Sequence, residues 1–389
     1  MENKKQSIEL ADIFSSHAEV FKQTHALCQE QLKAYNAITL CRTPALGGHT
    51  SHCESCGHVR NAYNSCRNRH CPKCQYIKKE QWVDKLASNL PPVKHFHMVF
   101  TIPHELNKLF TLNQDKAYKL LFKSASESLL QLAAQGKHLG VQAGAVAILH
   151  TWGQNLSYHP HIHMIVPAGG LSEDQMEWVY SSRKYLLPVK VISPVFRGML
   201  YRLMEQAVKK EELRLSDDIK DTAQLKALCY KKKWVVYAEK PFSDAGGIIR
   251  YLGNYTHRVA ISNNRLIAHT DNRVTFSYKD YKNGGIKSKV TLDAHEFIRR
   301  FMQHVLPCGF YKIRYYGFLA LSNIKTKLQL VYSLLPKATY LSRLEGLSAI
   351  EVWRELTGQD PLCCPKCKQG KMVHGKPAEP ETPATVDYG

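Results

Sequence analysis

Four cysteines near the N-terminus have the spacing of a metal site. Cys53 and Cys56 form one Cys-x-x-Cys pair, and Cys71 and Cys74 form a second pair after fourteen intervening residues. Each such pair directs two thiolates at one point, and two pairs complete a tetrahedron around zinc. The spacing therefore predicts one structural Zn²⁺ site with these four ligands. The ligand set stays open, because neighbouring side chains are able to replace a ligand or to help hold a second ion: Cys66, His52, His58 and His70.

A further Cys-x-x-Cys pair, Cys364 and Cys367, lies near the C-terminus, with Cys363 beside it and His374 beyond. One such pair is only half of a tetrahedral site. It is either a degenerate knuckle or the completing half of a site elsewhere, and we do not predict a second zinc from it.

A pair of histidines forms the second group with metal-binding chemistry. His161 and His163 flank Ile162 in a predicted strand, and alternation along a strand puts both imidazoles on one face. Two imidazoles on a rigid strand make a platform for a divalent cation. His159 has the same parity, so it is a candidate third ligand or substrate contact, although Pro160 interrupts the strand between them.

Two tyrosines form the third group. Tyr251 and Tyr255 are four residues apart in a predicted helix over residues 244–257, so they share a helix face. A tyrosine nucleophile needs a nearby cation or base, which His257, Arg258 or a metal would supply. The alternative is an ordinary packing stripe, because the chain contains 20 tyrosines.

The charge of the chain favours a polyanionic partner. Lys and Arg number 53 against 33 Asp and Glu, which gives a net charge of +20. Such a surplus attracts nucleic acid through phosphate neutralisation. Candidate DNA contacts are basic residues in the cysteine-rich segment, a basic, aromatic stretch further on and an arginine after the two tyrosines: Arg67, Arg69, Lys73, Lys233, Trp234 and Arg258. The alternatives are solubilising surface charges and a buried aromatic strand with a basic leader.

Composition excludes several other classes of protein. No apolar run approaches the ~18 residues of a membrane-spanning helix. The polar start of the chain lacks the apolar core of a signal peptide, so we expect a cytoplasmic protein. The ligand spacing of the cysteines favours metal over disulfides.

The elements that must position these residues predict an α+β fold. A helix is predicted over 114–134, and another from an N-cap at Ser193, with Pro194 at the first helical position. Asp271 and Asn272 are predicted to join a hairpin. Such elements fit an antiparallel sheet with helices. The predicted strands that carry the chemistry are residues 94–102, 143–152 and 161–166.

The chain divides into four consecutive parts in this prediction. N-terminal helices and a small zinc-binding domain occupy residues 1–90, and Pro91-Pro92 marks the boundary to a core over 91–300. A helical region with the Cys-rich knuckle follows over 301–375. Residues 376–389 are rich in Pro, Glu and Thr and are predicted to be a disordered tail.

The ordered set of motifs resembles the two-tyrosine HUH transposases of rolling-circle insertion sequences, a family with an N-terminal zinc-binding domain. The likeness spans about residues 40–320. The stretches that carry it are RTPALGGH at 42–49, AYNSCRNRHCPKC at 62–74, MVFTIPHELN at 98–107, HPHIHMIV at 159–166, YLGNYTHRVAISN at 251–263 and YGFLA at 316–320.

The resemblance implies an HUH-endonuclease core, an antiparallel sheet flanked by helices. It implies that His161 and His163 hold Mg²⁺ or Mn²⁺ and that Tyr251 and Tyr255 are the nucleophiles. The third metal ligand stays open, with His257, His159 and an acidic or amide residue as candidates. The implied activity is cleavage and rejoining of single-stranded DNA through 5′-phosphotyrosine links, as rolling-circle transposition requires.

Three alternatives remain at this point. A plasmid or phage replication initiator would use the same chemistry on another DNA target. A metal hydrolase of the amidohydrolase type also uses His-x-His on a strand, but it would supply further His and Asp ligands at later strand ends, and no such progression is present. A zinc-ribbon DNA-binding protein without enzymatic activity is the third.

Overall fold

The computed structural model describes residues 8–181, 186–238, 260–280, 284–335 and 340–380. Its α-helices are α1 (Leu10–Ser16), α2 (Ala18–Thr24), α3 (Gln29–Leu40), α4 (Tyr76–Ser88), α5 (Asn107–Leu112), α6 (Gln114–Ala134), α7 (Val189–Lys209), α8 (Thr222–Lys231), α9 (Ala294–Met302), α10 (Lys327–Leu334) and α11 (Ala349–Thr357). Its strands are β1 (Gly48–Cys53), β2 (Val59–Tyr63), β3 (His95–Thr101), β4 (Val141–Gln142), β5 (Gly144–Trp152), β6 (Tyr158–Pro167), β7 (Gly169–Ser172), β8 (Trp178–Tyr180), β9 (Val236–Ala238), β10 (Leu266–Thr270), β11 (Arg273–Asp280), β12 (Ile286–Asp293), β13 (Ile313–Gly317) and β14 (Met372–Ala378).

The chain forms two compact units, each assembled from separate stretches. The first unit takes the described residues within Met1–Trp82, His257–Val305 and Arg343–Gly389. The second takes those within Val83–Thr256 and Leu306–Ser342. Each compact unit therefore combines stretches that the sequence analysis placed in different domains.

The second unit is built on a five-stranded sheet in the order β13-β5-β6-β3-β9. Every neighbouring pair in it is antiparallel, which confirms the predicted mixture of helices and antiparallel sheet. One face of the sheet packs into the main core, which receives Met98 from β3, Ala147 from β5 and Met164 from β6. Helices α6 and α7 contribute their buried faces to the same core. The residues of opposite parity point to the other face of the sheet.

Helix α7 begins earlier than the sequence predicts. It starts at Val189, so Pro194 lies inside the helix and Ser193 is not its N-cap. The Ser193 hydroxyl instead donates to the Trp234 carbonyl at 2.6 Å. Pro194 is near the start of the helix, where few backbone bonds are lost, and burial of Ile192 and Phe196 favours the longer helix.

The first unit contains two smaller sheets. One has the order β14-β1-β2, so a C-terminal strand pairs with an N-terminal strand. The other has the order β10-β11-β12. The predicted hairpin between β10 and β11 is confirmed, and Asp271 and Asn272 turn it with φ of 48° and 58°, the conformation of a type I′ turn.

Strand β14 also changes the predicted tail. Its backbone pairs with β1 as far as Gly48, which lies opposite Ala378. An ordered tail therefore extends beyond residue 376, because the free edge of β1 supplies hydrogen-bond partners for it. Residues 381–389 lie outside the described ranges.

The helices of the first unit pack around aromatic side chains. Phe14 of α1 stacks on Tyr35 of α3 at 4.8 Å between ring centroids, and it meets Phe301 of α9 edge-on at 5.3 Å. The buried Tyr35 hydroxyl donates to the Phe14 carbonyl at 2.6 Å. In the described ranges of both units, none of the helices combines the length and the apolar character that a bilayer crossing needs.

Candidate metal centres

Three histidines converge on the sheet face that points away from the main core. His161 and His163 come from β6, and His150 comes from the adjacent strand β5, where it lies opposite His161. One ligand atom from each of the three lies within 4.8 Å of the others. His150 is buried, whereas His161 and His163 are half-buried. The sequence predicts the pair from β6, and the sheet register adds the third imidazole.

Hydrogen bonds determine which ring nitrogens of the pair face the cluster. Nδ1 of His161 lies 2.6 Å from the carbonyl oxygen of His159, which only accepts, so Nδ1 carries the proton and Nε2 keeps its lone pair. Nδ1 of His163 lies 2.7 Å from Nε2 of His97 on strand β3. Metal binding through Nε2 of His163 requires that its Nδ1–H donate to His97.

The three imidazoles are neutral at neutral pH. Removal from water lowers the pKa of His161 to about 3 and lowers the pKa values of His150 and His163 well below the usual range. Repulsion between the imidazolium forms acts in the same direction. A neutral imidazole offers the lone pair that a cation needs, so the donor set fits a divalent metal ion.

Two participants in this site, His150 and His97, were missed by the sequence analysis. Each lies on a strand that was correctly predicted, and each shares a sheet face with the pair from β6. Their positions inside predicted buried strands were the available signal, because a histidine in such a strand requires a polar partner.

The sequence analysis named two other histidines, His159 and His257, as candidates for the third metal ligand. The His159 carbonyl accepts from His161, and the two ring centroids lie 5.1 Å apart with the planes tilted by 40°, but His159 is not in the three-histidine group. His257 lies outside the described residues. The predicted nucleophiles Tyr251 and Tyr255 lie outside them too, as does the candidate DNA contact Arg258.

Eight cysteines of the first unit form two clusters of four. The first cysteine cluster has ligand atoms within 4.8 Å of one another and consists of Cys41, Cys66, Cys71 and Cys74. Its Sγ–Sγ distances are 3.4 Å between Cys41 and Cys74 and 3.6 Å between Cys66 and Cys74. Hydrogen bonds with Cys41 and Cys66, and then burial, raise the pKa of Cys71. A divalent cation would relieve this crowding by replacing protons.

The second cysteine cluster consists of Cys53, Cys56, Cys364 and Cys367, again with Sγ atoms within 4.8 Å of one another. Cys53 ends strand β1, and Cys364 and Cys367 lie in the turn that precedes β14. The C-terminal pair therefore completes a group of four cysteines with Cys53 and Cys56, in the manner of the second interpretation left open by the sequence.

The prediction of one site with Cys53, Cys56, Cys71 and Cys74 is corrected by these clusters. Each of the two predicted pairs contributes to a different cluster, because the pairing of β14 with β1 brings Cys364 and Cys367 to the first pair. Cys66 joins Cys71 and Cys74, as one alternative allowed. In the part of the chain described, His52, His58 and His70 belong to neither group; His70 contacts the Asn68 side chain instead.

Some of the candidate DNA contacts are exposed, and others are buried or paired with another side chain. Trp234 is only 5% exposed, and its indole N–H donates to the Cys229 carbonyl at 2.8 Å, so no base is able to stack on it. The alternative that this aromatic residue is buried is correct, and Trp234 lies just before strand β9. Lys73 pairs with Glu9 at 2.5 Å, whereas Arg67 and Lys233 are exposed and Arg69 is half-buried.

Two family models match the chain, over stretches that include the three-histidine group and the first cysteine cluster. One, described as "Transposase zinc-binding domain", covers residues 13–102, and one described as "Putative transposase" covers residues 144–327. A putative transposase, y4qJ, of Sinorhizobium fredii is 41% identical over an alignment of 378 residues that covers 94% of each chain. The chain belongs to the transposases of insertion sequences. The family predicted from the motifs is confirmed.

A second relative of this transposase, the transposase for insertion sequence element IS801 of Pseudomonas savastanoi pv. phaseolicola, is 31% identical over 313 residues. The match covers 79% of this chain and 75% of that relative. No solved structure gives a significant match. The zinc-binding family model includes all of the first cysteine cluster but only half of the second.

Proposed function

We propose that this transposase cleaves and rejoins single-stranded DNA by transesterification at the three-histidine group. The convergence of His150, His161 and His163 from two adjacent strands carries the proposal. We assign His150 as the third metal ligand, in preference to His159 and His257. We further propose that the first cysteine cluster holds a structural Zn²⁺, as thiolates at this spacing do.

The donor set decides what the site is able to bind. Three imidazole nitrogens leave the remaining coordination positions to water or to phosphate oxygens. Imidazole is a softer donor than the oxygen ligands that Mg²⁺ prefers, so Mn²⁺ fits better than Mg²⁺. A divalent cation held there would neutralise charge on the scissile phosphate.

Tyr251 and Tyr255 are the proposed nucleophiles. One tyrosine gives up its phenolic proton and its oxygen forms a bond to the phosphorus, while the bond from phosphorus to the 3′ oxygen breaks. The departing 3′ oxygen takes up a proton, which leaves a 5′-phosphotyrosine and a free 3′-OH. Because the link preserves a phosphodiester bond, a strand 3′-OH is able to reverse the attack and rejoin another end. Two tyrosines permit two such links in sequence, as rolling-circle transfer requires.

The register of the sheet supports the placement of DNA on this face. Val99 of β3 lies opposite His163 on one side and opposite Tyr237 of β9 on the other. Residues directly opposite one another share a face of the sheet, so Tyr237 lies on the histidine face two strands from His163. The Tyr237 side chain is 53% exposed, which leaves its ring available to stack on a base. The segment with both proposed nucleophiles follows β9 directly in the sequence.

The decisive experiment is detection of a covalent protein–DNA adduct. The purified protein is incubated with Mn²⁺ or Mg²⁺ and a labelled single-stranded element end. We expect an adduct with the unaltered protein and none with the Tyr251→Phe/Tyr255→Phe double variant or with His161→Ala. An adduct that persists in the double variant would refute the nucleophile assignment. No adduct from the unaltered protein would refute the strand-transfer activity.

A further inference from the structure

Two matching turns face each other in the first unit. In the N-terminal knuckle, residues 53–57, the Gly57 N–H donates to the Cys53 carbonyl at 3.0 Å, and Gly57 has φ of +67°. In the C-terminal knuckle, residues 364–368, the Lys368 N–H donates to the Cys364 carbonyl at 3.0 Å, and Lys368 has φ of 61°. Both turns therefore close with the same hydrogen bond and have a positive φ at the fifth residue, although about three hundred residues separate them. A non-glycine residue rarely adopts this conformation without a structural reason.

The sulfur atoms of the two knuckles are at the spacing of a tetrahedral metal site. Cys53 Sγ lies 3.7 Å from Cys367 Sγ, and Cys56 Sγ lies 3.7 Å from Cys364 Sγ. Four thiolates each about 2.3 Å from a tetrahedral Zn²⁺ lie roughly 3.8 Å apart. A disulfide would need about 2.05 Å. All twelve cysteines of the chain are free thiols.

The residues around the second cysteine cluster also favour four closely spaced thiolates. The Gly370 N–H points at Cys367 Sγ at 3.4 Å, a contact that stabilises a thiolate. A Cβ atom at Gly370 would lie 2.5 Å from Cys53 Sγ, so only glycine fits there. The pairing of β14 with β1 fixes the two knuckles in register, with Cys53 opposite Met372.

We propose that Cys53, Cys56, Cys364 and Cys367 bind a second structural Zn²⁺, which joins the C-terminal knuckle to strand β1. The zinc-binding family model ends at residue 102, so two of these four ligands lie beyond it. The inference does not depend on the chemistry proposed at the histidines. Four thiolates in a tetrahedron also suit iron, so the identity of the metal is part of the test.

The test measures the metal content of the full-length protein by native mass spectrometry and elemental analysis. We expect two Zn²⁺ per chain in the unaltered protein and one in the Cys364→Ser/Cys367→Ser variant. The matched control is Cys363→Ser, a neighbouring cysteine outside both clusters, which should keep two. An equal Zn²⁺ content in the double variant and the unaltered protein, or iron in place of the second Zn²⁺, would overturn the assignment. One Zn²⁺ in the unaltered protein and none in the double variant would instead refute the zinc proposed for the first cysteine cluster.

A glycine variant tests the same site with every thiol in place. Gly370→Ala brings a methyl group against Cys53 Sγ, so we expect one of the two Zn²⁺ ions to pass to a chelator roughly tenfold faster or more. Gly136→Ala is the control, because no atom lies within 4 Å of a Cβ there. Unchanged release of both ions in Gly370→Ala would contradict the proposed site, and this readout does not require the cysteine variants to fold.

Discussion

Nε2 of His97 lies 2.7 Å from Nδ1 of His163, and the two ring planes are nearly parallel, with an interplanar angle of 3°. His97 comes from β3 and His163 from β6, so the contact spans two neighbouring strands of the sheet. It holds the His163 ring in one orientation and directs its Nε2 away from His97. A buried histidine thus acts as a positioning residue for a proposed metal ligand.

Replacing His97 should therefore weaken metal binding without removing a ligand. His97→Phe keeps the ring but loses the hydrogen bond to His163, and we expect the affinity for Mn²⁺ to fall roughly 10–100-fold. Isothermal titration calorimetry measures this affinity. His95→Phe is the matched control, because His95 is a buried histidine on the same strand outside the three-histidine group. Equal Mn²⁺ affinity in both variants would show that the contact has no positioning role.

The assignment of the third ligand is tested by a pair of alanine variants. We expect His150→Ala to lower the Mn²⁺ affinity by roughly 100-fold, because it removes an imidazole from the group. His159→Ala should leave the affinity nearly unchanged, since its contribution is a backbone carbonyl that alanine retains. Electron paramagnetic resonance of bound Mn²⁺ distinguishes the two variants. A loss confined to His159→Ala would transfer the third-ligand role to that residue.

Tyr237 should contribute to binding of single-stranded DNA by stacking on a base. Such stacking is worth roughly 1–3 kcal/mol per base, so Tyr237→Ala should weaken binding roughly 5–150-fold, whereas Tyr237→Phe should retain it. Fluorescence anisotropy with a labelled oligonucleotide measures the effect. Tyr180→Ala is the control, because Tyr180 is 60% exposed on a strand of a different sheet. A similar loss in Tyr180→Ala would indicate a nonspecific surface effect.

The sequence analysis could identify those histidine and cysteine pairs whose geometry depends only on local spacing along the chain. His161 and His163 could be paired because residues two apart on a strand share a face. His150 could not be added, because its place opposite His161 depends on the register between two strands. The cysteine pairs were recognisable for the same local reason, but their partners were not. Spacing along the chain does not determine that Cys53 meets Cys367 rather than Cys71, since strand pairing between β1 and β14 makes that choice.

Acid should destabilise the second unit partly through His95. This side chain is completely buried, and removal from water lowers its pKa from 6.5 to about 4. Between these pH values His95 is therefore protonated in the unfolded chain and neutral in the folded chain. The contribution to stability is fully present above pH 6.5 and is lost as the pH falls towards 4, by roughly 3 kcal/mol in all.

His95→Leu should remove this part of the pH dependence, because leucine has no proton to bind. Chemical denaturation at a series of pH values measures the free energy of unfolding, and we expect its slope between pH 6.5 and 4 to decrease by up to one proton. Other buried histidines, His150 among them, keep part of the slope in the variant. His104→Leu is the control, since the His104 side chain is 75% exposed. An unchanged slope in His95→Leu would mean that His95 is protonated in the folded protein or leaves the core before the unit unfolds.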